Sequence, residues 1–172
     1  MELVLISCSS KKLDRMAAAR DLYISPLFRA SVKWAEVWGC EWAVMSAKYG
    51  LVKPHTHIHP YDFTITNKMM GYSVARMVLG ALATDKEYEE VTELIVLAGR
   101  RYVDPLHWYN QWGDTLSPSI KRSISFDSDS YMRFRRNNGP YVIAEPLQGM
   151  QTGQRLSWLK GPGLECWDTY QG

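Results

Sequence analysis

Lys48, Tyr49 and Asp62 carry the groups with which this chain could do chemistry. They stand in Met45-Ser46-Ala47-Lys48-Tyr49-Gly50-Leu51-Val52 and Ile58-His59-Pro60-Tyr61-Asp62. The lysine and tyrosine can orient or polarise a base or sugar. The carboxylate can stabilise an oxocarbenium-like centre or activate water, as in glycoside chemistry. A Tyr-Asp pair that merely fastens a turn is the competing reading. Gly50 accepts positive φ without steric cost, which suits Lys48 and Tyr49 to a turn at a strand end.

A second cluster is Ser7, Cys8, Ser9, Ser10, Lys11 and Lys12, directly after the apolar run Leu3-Val4-Leu5-Ile6. Hydroxyls, lysines and the N–H groups of a helix expected to begin near Asp14 can together cradle a phosphate. The spacing is not that of a Walker A loop, and the serines could equally cap the helix while a lysine points to water. Cys8 could be a nucleophile, although a buried free thiol is the commoner fate. A third strand, Leu94-Ile95-Val96-Leu97, ends in Ala98-Gly99-Arg100-Arg101-Tyr102. Arg100 and Arg101 can fork onto phosphate while Tyr102 stacks on a base; equally, one arginine could pair with a surface carboxylate. Gln151 and Gln154 share a helical face and could read a base edge, against the slightly preferred reading of plain surface glutamines. His55, His57 and His59 face one side of an extended segment. Three such imidazoles can bind zinc, but a solvent-facing stripe is preferred, and no metal or other cofactor is assigned.

These residues require elements that bring strand ends together. The pattern predicts a strand at 2–7, a short helix near 14–22, a helix from Pro26 to Trp38 and a strand at 42–46. Residues 53–66 read as an extended crossing segment. A long helix runs from about Met69 into the 80s, with Val74, Met77, Val78, Ala81 and Leu82 at apolar spacing. A strand at 93–98, a helix at 100–112, an edge strand at 141–144 and a final helix with Leu156 and Leu159 complete the series. Alternating β and α elements favour a mostly parallel sheet, whose ligands bind outside the carboxyl ends of the strands.

The 172 residues suit one domain, with a mobile insert expected at 113–140, where Gly113, Pro118 and Asn137-Asn138-Gly139-Pro140 gather turn signals. A net charge of +2 gives no whole-molecule field for nonspecific nucleic-acid binding, so any anionic partner must meet the local Lys and Arg clusters. Three cysteines, widely spaced and without CxxC, argue against a disulfide framework and fit a reducing, cytoplasmic setting. The apolar run at 2–7 is too short for a signal-peptide core, and nothing reaches transmembrane length.

Ile6-Ser7-Cys8-Ser9-Ser10-Lys11-Lys12-Leu13-Asp14, Leu22-Tyr23 with Ser25-Pro26-Leu27-Phe28, the Ser46–Val52 block and Pro60-Tyr61-Asp62 together resemble an uncharacterised domain family of phages and bacteria. Leu97–Tyr102, Pro146–Met150 and Gly153–Leu159 extend the likeness over about residues 2–160. That family in turn is similar to the YaaA peroxide-stress proteins, from which this chain departs in its shorter length and its lack of a helix-hairpin-helix motif. The resemblance implies an α/β fold with a positively charged cleft and a link to DNA or nucleobase chemistry. It adds Tyr23, Ser46, Gly50 and Tyr61 to the substrate-binding set.

The resulting expectation is a single three-layer α/β domain over 1–172, with a mostly parallel central sheet flanked by helices. Its partner would be a nucleotide, nucleobase or DNA, not a membrane. The expected activity is cleavage or exchange at an N-glycosidic bond, or a step of DNA base modification. The alternative is a non-catalytic DNA-binding or nucleotide-sensing module.

Overall fold

In a computed structural model, which describes residues 1–112 and 141–165, the chain opens with β1 (Glu2–Ser7), β2 (Ala17–Ala18), α1 (Ala19–Leu22), α2 (Pro26–Val37) and β3 (Glu41–Ser46). It continues through β4 (Gly50–Val52), β5 (His57–Ile58), α3 (Lys68–Thr84), a 3-10 turn at Lys86–Tyr88, β6 (Glu93–Leu97) and α4 (Arg100–Trp112). The last described elements are β7 (Val142–Ala144), α5 (Thr152–Lys160) and α6 (Pro162–Glu165).

Five strands form one sheet in the order β4-β3-β1-β6-β7. The pairs β1/β3, β1/β6 and β6/β7 are parallel, and β4 closes the β3 edge antiparallel. Runs that stay apolar at every position are the mark of strands buried on both faces. Leu3, Leu5, Ala43, Met45, Leu94 and Val96 accordingly share one core with Val74, Val78 and Leu82 of α3 and Val103 and Leu106 of α4. The intervening Val4, Ile6, Val44, Ile95 and Leu97 share the other with Phe28 and Trp34 of α2 and Leu159 of α5.

Local chemistry sets the helix starts. Ser25 accepts a hydrogen bond from the Phe28 N–H, and Pro26 occupies the first turn of α2, where its missing donor costs nothing. Asn67 accepts from the Met70 N–H at the start of α3. Buried Asn110 near the end of α4 donates to the Tyr141 carbonyl at 2.7 Å and accepts its N–H at 3.1 Å, so one amide side chain substitutes for a neighbouring strand beside β7.

Three features differ from the sequence expectation. Only Ala19–Leu22 of the segment near 14–22 is helical. The Leu13 N–H donates to the Leu22 carbonyl, Ile24 to Lys11, Ala19 to Thr56 and Arg20 to Pro54, while Ala17 and Ala18 pair with Ile58 and His57. Residues 17–20 are therefore committed to the 54–58 segment rather than to a helix beginning near Asp14, and no helix N-terminus directly follows the Ser-Lys loop. Residues 50–52, read as part of a loop, form β4. Met77, read at the apolar spacing of α3, is 40% exposed, because it lies beside Gly50 at the β4 edge of the sheet, where it borders an open cavity. The insert expected at 113–140 lies outside the described residues, as do Arg133, Arg135 and Arg136. Among the described residues, no helix is long and apolar enough to cross a membrane.

Candidate functional site

The connection after β1 leads to α2 over one face of the sheet, whereas those after β3 and β6 lead to α3 and α4 over the other. Neighbouring strands whose connections diverge in this way open a crevice at their carboxyl ends, where open α/β sheets bind ligands. The strand-end residues Cys8, Ser46 and Ala98 stand there, with Lys48 and Tyr49 in the turn that follows β3.

Ser46 is completely buried and organises the turn. Its Oγ accepts the Lys48 N–H at 3.3 Å and the Tyr49 N–H at 3.0 Å, and lies 2.8 Å from the Tyr61 hydroxyl. With both serine lone pairs engaged, its proton points to Tyr61, which is left to donate to the Tyr23 hydroxyl 3.0 Å away. Gly50 closes the turn at φ +71°, and a Cβ there would lie 2.7 Å from the Cβ of Met77. On the β6 side of the crevice, the Cys8 Sγ lies 3.1 Å from the Tyr102 hydroxyl.

Cations gather over these rings. The Lys12 ammonium sits 4.2 Å from the Tyr61 ring centroid and 5.7 Å from that of Tyr23; Lys48 is 5.1 Å from Tyr49 and 5.8 Å from Tyr61. Tyr49 and Tyr61 meet edge to face at 5.3 Å. Partial burial pulls the Lys12 ammonium below the ordinary lysine value, against an upward pull from Cys8 and Asp62. An anion seated beside Lys12 would offset that desolvation.

Burial pushes the Tyr23 phenol up to about 12, and burial with the neighbouring Cys8 raises Tyr61 and Tyr102 further. A buried phenol raised above the ordinary value of 10.0 holds its proton where the unfolded chain loses it. Its stabilising contribution is complete below about pH 10 and is lost as pH climbs through the folded value. We therefore expect phenolate absorbance and loss of near-UV circular dichroism to rise together in an alkaline titration, with these phenols ionising only as the fold opens. Full ionisation of every tyrosine near pH 10 with the fold intact would contradict this network.

Beside the network, residues 61–63 and α3 border a cavity of about 650 Å³. Lys48, Tyr61 and Asp62 line it, opposite Phe63, Asn67 and the α3 stripe Met69, Ser73 and Met77. A volume of this order suits a small molecule the size of a nucleotide. Asp62 is the single carboxylate among the lining residues. Phe63 and the stripe were missed from sequence, although exposed methionines at positions 69 and 77, four residues to either side of Ser73, were the available signal.

The remaining candidates divide by what already engages them. Ser7 ends β1 opposite Met45, Ser9 Oγ donates to the Lys11 carbonyl within its own turn, and Ser10 and Lys11 face solvent. Arg100 pairs with Asp104 at 3.4 Å on the surface of α4. The Arg101 guanidinium donates to the Ile65 carbonyl at 2.7 Å and so braces the extended segment. Gln151 and Gln154 satisfy each other in a capping box that starts α5. His55, His57 and His59 are exposed. Among the described residues, no three His, Cys, Asp or Glu side chains converge on a metal-sized site. Arg155 of α5, unforeseen, donates to the Met150 carbonyl at 2.8 Å and to the Ala98 carbonyl at 3.2 Å, tying the end of β6 to the carboxyl-terminal helices.

The fold and crevice together define an open α/β protein with a polar, aromatic and basic site at its topological switch point. Over residues 3–123 the chain matches DUF6884, described as a family of unknown function, and it belongs to that family. It is also similar to "Uncharacterized protein YfjM" of Bacillus subtilis (strain 168), with 28% identity over 107 residues that cover 58% of this chain and 71% of the relative. No solved structure matches the chain.

Proposed function

We propose that the crevice above β1 binds a nucleotide or a DNA base and that the protein acts at its N-glycosidic bond, by cleavage, exchange or as a step of base modification. One observation carries this reading: Lys12, Tyr23, Lys48, Tyr61 and Tyr102 converge from separate segments on the switch-point crevice, beside a cavity that also holds Asp62. Lys12 and Lys48 supply counter-charge for phosphate, and the part-exposed Tyr61 and Phe63 offer apolar faces for a base. Asp62 stabilises the oxocarbenium-like sugar or activates water. Kinship with the YaaA peroxide-stress proteins, a three-layer α/β/α arrangement and a cytoplasmic setting belong to the same proposal.

A second reading is favoured by one specific observation. Glycoside chemistry ordinarily employs two carboxylates, and the cavity presents one. On that reading the site is a non-catalytic nucleotide-sensing or DNA-binding module in which Asp62 only orients the ligand.

Thermal shift with nucleobases, nucleosides, nucleotides and short DNA, followed by mass spectrometry of each ligand that raises Tm, separates the two. For the enzyme, Asp62→Asn is expected to keep the thermal shift while release or exchange of base falls on the order of 10²-fold or more. Binding by the parent protein with no altered ligand would overturn the catalytic reading and leave the module. Undiminished turnover in Asp62→Asn would remove Asp62 from the chemistry.

A further inference from the structure

We infer that the substrate is a nucleic-acid strand rather than a free nucleotide, and that its phosphates run from the crevice across the outer face of α2, over Arg29, Lys33 and Lys160. This rests on the reading of the crevice as a nucleotide or base site.

A cavity of about 550 Å³ between α2 and α5 is lined by Ile24, Pro26, Arg29, Ala30, Lys33, Leu159 and Lys160. Its charged lining is entirely cationic, and all three cations are exposed. No carboxylate among the described residues forms an ion pair with any of them; the neighbouring acidic residue of α2, Glu36, is taken by Arg20 at 2.8 Å. Lys160 in the last turn of α5 is accounted for by the helix dipole. Arg29 and Lys33 are not: they stand at i and i+4 on α2, a spacing at which like charges disfavour the helix unless an anion lies between them.

The cavity adjoins the crevice. Ile24, on its wall, follows Tyr23 directly and donates its N–H to the Lys11 carbonyl at 3.0 Å, while Lys12 bridges to Tyr23. Lys11, exposed at this junction, adds a further cation beside the Ile24 backbone. A mononucleotide seated at Lys12 and Lys48 has no phosphate to place over α2, whereas a strand has one for every residue. An anionic membrane would satisfy the charge but would not need continuity with the crevice.

The test compares the full chain with an Arg29→Gln/Lys33→Gln/Lys160→Gln variant, measuring affinity for a labelled single-stranded 12-mer and for a mononucleotide across a salt series. These positions are exposed, so the variant is expected to keep its Tm. The parent should bind the 12-mer more tightly than the mononucleotide, with affinity falling steeply in salt. The variant should keep its mononucleotide affinity while its logarithmic salt slope for the 12-mer becomes shallower by about 2, the value for three lost single-strand phosphate contacts. Mononucleotide binding with no gain for the 12-mer, or an unchanged slope in the variant, would overturn the strand path and leave the crevice standing. Failure of both ligands to bind would remove the crevice reading and the path with it, and binding to phosphatidylserine vesicles without binding to the 12-mer would reassign the patch to a membrane.

Discussion

Trp34→Ala is expected to destabilise the fold by about 3–5 kcal/mol, the range for removing a large buried aromatic, and to lower Tm by about 10 °C or more. Trp34 is fully buried in the core beneath α2, 6.0 Å from the Trp158 ring and 6.5 Å from that of Trp38. Its indole N–H donates to the Gly163 carbonyl at 2.6 Å. Gly163 admits no side chain, because a Cβ there would lie 2.5 Å from the Trp158 ring. The truncation thus empties the wedge on which α5 and α6 rest. Trp34→Phe should cost much less, since a ring remains and Trp38 still donates to the Gly163 carbonyl at 3.1 Å. Chemical denaturation of the two variants checks the pair. A loss under about 1 kcal/mol for Trp34→Ala would show that α5 and α6 are held by something other than this wedge.

The sheet was legible because its chemistry is local. Glu2–Ser7, Glu41–Ser46 and Glu93–Leu97 are short apolar runs ending in polar, small or basic residues, and alternating side chains fill the cores on either side. Ser25-Pro26 marked the start of α2 for an equally local reason. Where prediction failed, a distant partner decided. The segment around α1 has ordinary helical composition, but Ala17 and Ala18 pair with Ile58 and His57 while Ala19 and Arg20 donate to Thr56 and Pro54, distant partners that propensity does not register. β4 is three residues long and exists because the Lys48 turn folds it back on β3, so its pairing follows from the turn rather than from any pattern of its own.

The candidate site was legible in its residue types more than in its geometry. Lys48 was picked out at a strand end and Tyr61 and Asp62 in the extended segment that follows; the three do line one cavity, and Tyr23 proved to be hydrogen-bonded to Tyr61. Gln151 and Gln154 were read with an open alternative, and the capping box explains them locally. Phe63 and Met77 escaped because an apolar side chain gains meaning as a site wall only once the opposite wall is known, and Ser73 because a lone serine on a helix carries no pattern. The family match ends at residue 123, yet α5 beyond it reaches back through Arg155 to the end of β6. The carboxyl-terminal helices therefore help shape the crevice, which no reading of the strand ends alone reveals.

Ser46→Ala is expected to reach the site itself. The substitution removes one oxygen and leaves the Lys48 and Tyr49 N–H groups without their acceptor and Tyr61 without its donor, in a position from which water is excluded. Leaving buried polar groups unsatisfied costs about 1–3 kcal/mol, more than the net worth of a made bond. Tyr61→Phe removes the other end of the same link but leaves both N–H groups bonded to Ser46, so its loss should be smaller. The two changes should not add, because each breaks the Ser46–Tyr61 bond, and the double variant should differ from the sum by about 0.5–3 kcal/mol. Ser46→Ala should also weaken nucleotide binding by on the order of tenfold, about 1.4 kcal/mol, since the Lys48 turn loses the anchor that aims it at the crevice. Tyr61→Phe, which keeps that turn fastened, should spare more of the affinity. Calorimetric unfolding of the three variants together with nucleotide titration decides the matter: equal losses from the two single changes would show that the shared Ser46–Tyr61 bond, not the two N–H bonds to Ser46, carries the cost.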